Sequence, residues 1–504
     1  MTKTFGVVGI CGAVGNLTAR ILKERGFNVI GTDISSKEDC KFKSSLEGYD
    51  IKVYYGSNPD EFFDEIDYLV PPPSLSKSSR LFEIASEKKI PLFELEDVLR
   101  EFKPDKPVFG ITGTNGKTTC TTLLKKIAYD NGITPAEHNL ANMQGNAEYI
   151  PILQSRLDSD VAILEVGTFG VPGTVARTCN NSNMEMALMT NITPDHLSEG
   201  FLNYAKVKGE IIQSLNGKKI IVNCQDPTII GLIKQLDYQG EIITFGLDWT
   251  PDKIGIKQCV CGEEIKVKEI ISGSGYYFCR CGITTPTSDY IATNIDLENR
   301  CFDIFDPLGE KIHIEMAVDG LHNVYNLTGV VVAAHEFLDL PYDKIAESIS
   351  EFTGVSGRME KIASFKGKDI LADYAHNPGG VETVLKSFNN LYNDFAIINT
   401  VTSESGEIGD IEIFDKLLEG SKYIVACSRA SQKVAREKIA ENKELEERIF
   451  FSELDDSFGD EGTLGATFTE VKNAFKLALD LDCEAIITIG EAGTKYKSAV
   501  NDLI

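Results

Sequence analysis

The chain has 504 residues, 42% of them hydrophobic, and a formal net charge of −26 at pH 7. That length predicts three domains, each with material for its own core, and the acidic balance excludes a general role in binding nucleic acid or anionic membranes. No apolar run approaches the roughly 18 residues that span a bilayer, and the start, MTKTFGVVGICG, lacks a signal-peptide cleavage pattern; the expectation is a cytoplasmic protein without membrane insertion, its cysteines free thiols or metal ligands.

Residues 4–10 read as a buried strand, followed by Gly9-x-x-Gly12-x-x-Gly15 and a helix through Leu22. A second strand, Asn28 to Thr32, ends at Asp33, where a ribose-binding acid often sits. The spacing departs from G-x-G-x-x-G, so three readings stay open: a dinucleotide site, a site for a UDP group, or a purely structural turn. Strands YLV and IPLF and a helix from Glu96 to Phe102 complete this unit, and Lys103 to Pro107 reads as a linker.

The strongest signal follows. The apolar run Val108 to Ile111 enters Gly113-Thr114-Asn115-Gly116-Lys117-Thr118-Thr119 and leaves into the apolar-periodic segment Leu123 to Ala128. This is a strand, a phosphate loop and a first helical turn. Glycines let backbone N–H groups approach phosphates, and the helix N-terminus adds partial positive charge. Lys117 would reach the β- and γ-phosphates of a nucleotide and Thr118 would ligate Mg²⁺. The generic motif would need glycine at 111, where Ile111 stands.

Residues 137–146 form a polar loop able to approach substrate or phosphate. DVAILEVG is a buried strand whose polar end, Glu165, is placed for a metal ion. Another strand leads to Asn191, Asp195 and His196, and then to an amphipathic helix bearing Tyr204, Lys206 and Lys208; His196 is a candidate ligand. KKIIVNCQDP and IITFG extend the same α/β sheet. Cys259-Val-Cys261 and Cys279-Arg-Cys281 then form two close pairs across a hairpin, an arrangement that reads as a structural four-thiolate zinc ribbon at about residues 255–285. Four thiolates leave no open position for catalytic water. The other eight cysteines, Cys11 and Cys40 among them, are scattered and read mostly as small apolar fillers.

Gly320-Leu-His-Asn323-Val-Tyr-Asn326 caps a helix running to about Phe337, and Gly357-Arg358-Met-Glu360 reads as a hinge. Beyond it ILADYAHNPGG, AIINTV, YIVACS and AIITIG supply the strands of a further α/β domain. The fold class is α/β with three domains: a Rossmann-like unit at 1–104, a central P-loop unit at 105–356 carrying the cysteine insertion, and a Rossmann-like unit at 357–504.

Taken in order, Gly113 to Thr119, Asn191-Ile-Thr-Pro-Asp195-His196, Gly357-Arg358-Met-Glu360 and Asp373-Tyr-Ala-His376-Asn377-Pro378 make the whole chain resemble the Mur ligase family. The resemblance implies an ATP-dependent amide-bond ligase with a UDP-substrate domain, a central ATPase and a mobile C-terminal lid. It puts Lys117 on the β/γ-phosphates, Thr118 on one Mg²⁺, and Glu165 and His196 on a second. Asn323 and Asn326 would flank the adenine, Arg358 would reach the phosphates, and Asp373, His376 and Asn377 would approach the nucleotide as the lid closes. Family members often carry a carbamylated lysine on the helix after the histidine loop; Lys208 matches it, with Lys206 as the competing assignment. The mixture of motifs, with the cysteine insertion, looks like the archaeal pseudomurein peptide ligases, which implies a UDP-linked peptide precursor and a free amino acid as substrates and a monomeric enzyme. The cysteine ribbon is also similar to the ligase-like subunit of the lipid II amidotransferase, which implies ammonia as the alternative amine.

Overall fold

The computed structural model describes all residues except 1, 39, 41, 138–148, 169, 195–199, 252, 402–405 and 456–464. Three parallel or mostly parallel sheets follow one another along the chain. The first holds β1 (Thr4–Val8), β2 (Asn28–Asp33), β3 (Lys52–Tyr55) and β4 (Tyr68–Val70), all parallel, in the order β3-β2-β1-β4. The helix Ala13–Glu24 packs close above the end of β1 because Gly15 has no side chain: a Cβ there would lie 2.3 Å from the Gly9 carbonyl oxygen. The expected strand IPLF is only an isolated bridge between Leu69 and Leu92. Pro91 lacks the N–H that a continuing ladder needs.

One cysteine expectation is corrected in this sheet. Cys11 and Cys40, expected as free apolar fillers, are joined in a disulfide across 29 residues of sequence. The turn after β1 and the segment after β2 leave the same sheet edge, which brings their Cα atoms to 5.0 Å, inside the range a disulfide requires.

The second sheet has eight strands: β5 (Val108–Thr112), β6 (Ala162–Glu165), β7 (Met186–Met189), β8 (Lys219–Asn223), β9 (Ile242–Leu247), and, beyond an insertion, β13 (Tyr290–Asp296), β14 (Cys301–Phe305) and β15 (Lys311–Glu315). The insertion is an antiparallel ribbon of β10 (Lys253–Gln258), β11 (Glu264–Ile271) and β12 (Ser274–Tyr277). The eight-stranded order is β15-β14-β13-β9-β8-β7-β5-β6, parallel from β13 to β6 and antiparallel at β14 and β15.

Its central strands are apolar almost without interruption because both faces are covered. Ile221 and Leu188 face one core with the helices Lys117–Asp130 and Leu321–Leu338. Ile220, Val222, Ala187 and Met189 face the other, with Phe201–Leu215 and Pro227–Gln235. Side-chain alternation along each strand therefore sorts residues between two cores, and each fully buried Ile or Leu contributes about 1.5–3 kcal/mol.

The third sheet holds β16 (Glu360–Phe365), β17 (Lys368–Asp373), β18 (Phe395–Asn399), β19 (Tyr423–Ala426), β20 (Ile449–Phe451) and β21 (Ala485–Ile489), in the order β16-β17-β21-β18-β19-β20. Only β16 runs antiparallel. Among the described residues no helix is long and apolar enough to cross a membrane.

A buried ion pair ties the insertion to the central sheet. Lys257 Nζ lies 3.0 Å from both carboxylate oxygens of Asp226, with the two side chains 6% and 0% exposed. Asp226 also caps the helix Pro227–Gln235 and accepts the Ile192 N–H at 2.8 Å. Asp226→Ala leaves the Lys257 ammonium buried without its counter-charge, and is expected to cost about 3–5 kcal/mol. Denaturant unfolding followed by the fluorescence of Trp249, the single tryptophan, would measure it.

Candidate active site

β5 sits between β6 and β7, all three parallel, so the loops leaving their carboxyl ends are neighbours. After Thr112 the chain turns through Gly113 (φ +149°) and enters the helix at Gly116 (φ +86°). Both glycines are required twice over, by backbone angle and by space. A Cβ on Gly113 would lie 2.0 Å from Thr190 Oγ1, and one on Gly116 would lie 2.3 Å from Asn326 Oδ1.

The loop after β7 holds this turn in shape. Thr114 N donates to the Asn191 carbonyl at 2.8 Å, Asn115 N to Asn191 Oδ1 at 3.0 Å, and Thr190 Oγ1 to the Asn115 carbonyl at 2.6 Å. Thr193 N donates to Thr114 Oγ1 at 3.0 Å. Lys117 Nζ reaches back to the Thr114 carbonyl at 2.8 Å. Thr118 Oγ1, almost fully buried, donates to Glu165 Oε1 at 3.2 Å, at the end of β6. Asp195 and His196 lie outside the described residues, as does most of the 137–146 loop.

The two candidate lysines are separated by helix phase. Tyr204 and Lys208, one turn apart, share the buried face of Phe201–Leu215, while Lys206 points to solvent. Lys208 is 1% exposed; its Nζ lies 3.0 Å from the Gly113 carbonyl and 5.5 Å from the Tyr204 ring centroid.

Asn323 and Asn326 occupy the first turns of Leu321–Leu338, joined to each other at 3.2 Å, with Asn326 against Gly116. From the turn that leads into β16, Arg358 Nη2 comes to 3.5 Å from Thr118 Oγ1, and its guanidinium lies over the Tyr374 ring at 4.8 Å. Asp373, at the end of β17, accepts backbone N–H groups of Met359 and Ala375, both at 2.7 Å. Burial pushes its carboxyl above the ordinary value, against the opposing pull of Arg358 and those N–H groups. His376 contacts the Tyr374 carbonyl, and Asn377 caps the helix Pro378–Leu391 while its Nδ2 lies 3.3 Å from Asn115 Oδ1.

Many of these groups border one cavity of about 420 Å³ between the second and third sheets, lined among others by Thr114 to Thr119, Asn191, Asn323, Arg358, Asp373 and His376, while Glu165 and Asn377 adjoin its lining residues and Lys208 meets Gly113, next to the lining Thr114. His322, Arg300, Ser272 and Thr383 border it too and were given no role from sequence. His322 adjoins the asparagine motif, and desolvation holds its imidazole down to about 4, neutral at pH 7. Ser272 and Thr383 carry no motif signal; their position follows from the insertion and the third sheet.

Asp33, at the position where a ribose-binding acid often sits, accepts Cys11 N at 2.8 Å and Ser35 N at 2.9 Å and so ties the loops after β1 and β2 together. Cys259, Cys261, Cys279 and Cys281 converge at one end of the ribbon, with sulfurs within 4.8 Å of one another. The pairs Cys259–Cys281 and Cys261–Cys279 stand at 3.8 and 3.7 Å. A tetrahedron of Zn–S bonds of about 2.3 Å has sulfurs roughly 3.8 Å apart. Cys259 and Cys261 share one tight turn and Cys279 and Cys281 another, each closed by a glycine, Gly262 N to the Cys259 carbonyl and Gly282 N to the Cys279 carbonyl, both at 2.9 Å.

Residues 111–264 match the Mur ligase middle domain. A UDP-N-acetylmuramate–L-alanine ligase of Aquifex aeolicus (strain VF5) is 25% identical over 402 residues, 78% of this chain and 76% of that protein. The solved structure of the UDP-N-acetylmuramate–alanine ligase of Thermotoga maritima has the same fold over 100% of this chain and 99% of its own, with a TM-score of 0.62 at 15% identity. A pseudomurein peptide ligase type C from Methanothermus fervidus matches over the full length of both chains, with 32% identity and a TM-score of 0.82. The chain belongs to the Mur ligase family, whose members are ATP-dependent ligases that form amide bonds.

Proposed function

We propose that the enzyme adds an amino acid to a UDP-linked peptide or amino-acid precursor of a pseudomurein cell wall, with units 1–104, 105–356 and 357–504 serving as UDP-substrate domain, ATPase and lid. The observation that carries this reading is the meeting at Thr118 of three segments: its hydroxyl lies 3.2 Å from Glu165 on β6 and 3.5 Å from Arg358, in the turn that leads into β16. The full-length likeness to a pseudomurein peptide ligase supports the substrate class.

In the reaction, an oxygen of the substrate carboxylate attacks the γ-phosphorus of ATP, ADP leaves, and an acyl phosphate results. The amine then attacks the acyl carbon, the tetrahedral centre collapses, and inorganic phosphate departs with the bond broken at carbon. The chain supplies positioning and charge. Backbone N–H groups at the start of Lys117–Asp130 would face the phosphates, and Gly116 lets that turn lie against Asn326, where a Cβ would stand 2.3 Å from Oδ1. Lys117 and Arg358 neutralise charge on the transferring phosphoryl group, Asn323 and Asn326 border the adenine side, and Asp373, His376 and Asn377 approach from the lid.

Two Mg²⁺ ions, when bound, supply further positive charge against the β- and γ-phosphates. The oxygen donors Thr118 and Glu165 suit such a hard cation: Thr118 would hold the first ion, and Glu165, His196 and a carbamylated Lys208 the second. A carbamate keeps an N–H for the Gly113 carbonyl that Lys208 Nζ now meets at 3.0 Å. The four cysteines would hold a structural Zn²⁺, which the sulfur spacing fits.

Lys117→Ala is expected to lower ATP-dependent phosphate release by about 10²–10³-fold, in an assay pairing UDP-linked acceptors with a panel of amino acids and ammonia. An unchanged rate would remove Lys117 from the mechanism, and turnover with ammonia alone would favour the amidotransferase chemistry. Gly116→Ala, which forces a Cβ against Asn326, should weaken ADP binding by at least about ten-fold, or about 1.4 kcal/mol. Gly132→Ala, at φ +79° with nothing within 4 Å, should leave ADP affinity unchanged; calorimetry compares the two. Metal analysis of purified protein should return one zinc per chain, and Cys259→Ser should lower that ratio.

A further inference from the structure

The inserted ribbon touches both sheets that border the cavity. Its foot is fixed to the central sheet by the buried Lys257–Asp226 pair, by Gly275 N to the Gln225 carbonyl at 2.8 Å, and by Tyr277 OH to the Cys224 carbonyl at 3.0 Å. Its other end, away from the four cysteines, reaches the third sheet's helix Pro378–Leu391. Ser272 Oγ, in the β11–β12 turn, lies 2.6 Å from Thr383 Oγ1. Lys253 Nζ, at the start of β10, lies 2.6 Å from Glu382 Oε1. Lys416 holds the second Glu382 oxygen at 2.5 Å, and Glu269 stands 3.7 Å behind Lys253.

That same helix begins on the phosphate loop. Asn377 caps it and reaches Asn115, and a Cβ on Gly380 would stand 3.2 Å from Asn115 Oδ1. Its N-terminus therefore rests on the nucleotide loop while its next turn is gripped by the ribbon. Ile271, Ser272 and Ser274 also form part of the cavity wall. The grip consists of one hydroxyl–hydroxyl bond and one ion pair whose partners are 47% and 22% exposed. Contacts of this kind can release, unlike an apolar interface, and a lid must open once per turnover.

We infer that the cysteine ribbon is a latch: Lys253 and Ser272 are positioning residues that hold the C-terminal unit closed on the phosphate loop. The inference rests on the ligase reading, because it is the nucleotide that closure would retain. Lys253 is a solvent-facing group outside the proposed catalytic set, so its removal tests closure without removing chemistry.

The test places a thiol at each side of the grip with the Ser272→Cys/Thr383→Cys pair and follows its crosslinking by glutathione disulfide, in which two protein thiols become a disulfide and two glutathione molecules are released. The single variants serve as controls for the native cysteines. With the Mg²⁺ complex of the non-hydrolysable analogue AMP-PNP present, Lys253→Met in that background should slow crosslinking about five-fold, and Lys253→Arg should restore it. In the otherwise native chain, Lys253→Met should weaken AMP-PNP binding by a similar factor, since affinity falls with the population of the competent state. Equal crosslinking rates, or equal affinities, would overturn the latch. Failure of the ligase reading shows separately, as a native enzyme that binds AMP-PNP yet releases no phosphate from ATP with any acceptor and amine.

Discussion

The site depends on the interlock between the loops that leave β5 and β7. A glycine-rich turn has little shape of its own, because Gly113 and Gly116 give up conformational freedom to be fixed. Here the fixing comes from outside: Asn191 and Thr190 bond the backbone of Thr114 and Asn115, Thr193 bonds the Thr114 hydroxyl, and Lys208 reaches the Gly113 carbonyl. Each such bond contributes about 0.5–1.5 kcal/mol net. Together they carry the ordering cost before a ligand arrives. The strand order makes the interlock available, since parallel neighbours β5 and β7 release their loops at the same edge.

What could be read from the chain alone tracks the strength of local signals. β5, β6, β7, β8 and β21 are short apolar runs bounded by turn residues, and all are strands. β3 (KVYY) and β16 (EKIASF) escaped notice because neither is fully buried and the ladder of β16 slips between Lys361 and Ala363. IPLF misled in the opposite direction, an apolar run in which Pro91 prevents a ladder. The Cys11–Cys40 link had no signal at 29 residues' separation, as it arises from two loops meeting at a sheet edge.

The site shows the same division. The phosphate loop, Glu165, Asn323, Asn326, Arg358 and Asp373 were legible as motifs and do border or adjoin one cavity. Spacing alone left Lys206 and Lys208 as rivals, and helix phase separates them: two residues apart on a helix means opposite faces. Ser272 and Thr383 were illegible because a serine in a hairpin turn and a threonine on a helix acquire meaning only when two sheets are set side by side.

Charge gives the arrangement its remaining logic. A chain of net charge −26 repels a nucleotide at long range, but salt confines that repulsion to roughly 8–10 Å. Within this distance, binding is decided by what is at hydrogen-bond reach. The structure collects Lys117, Lys208, Arg358 and Arg300 in or beside one cavity wall and holds Lys208 and Arg358 by aromatic rings as well as by hydrogen bonds. Acids of the same wall are held by partners: Asp319 by Arg300 at 2.7 Å, and Asp373 by the N–H groups of Met359 and Ala375 and by the nearby Arg358. An acidic protein can thus accept a polyanionic ligand, provided its few cations are converged by the fold rather than spread along the surface. The ribbon adds one more ion pair, Lys253 with Glu382, next to the cavity-lining Thr383, and so makes the convergence depend on both sheets remaining together.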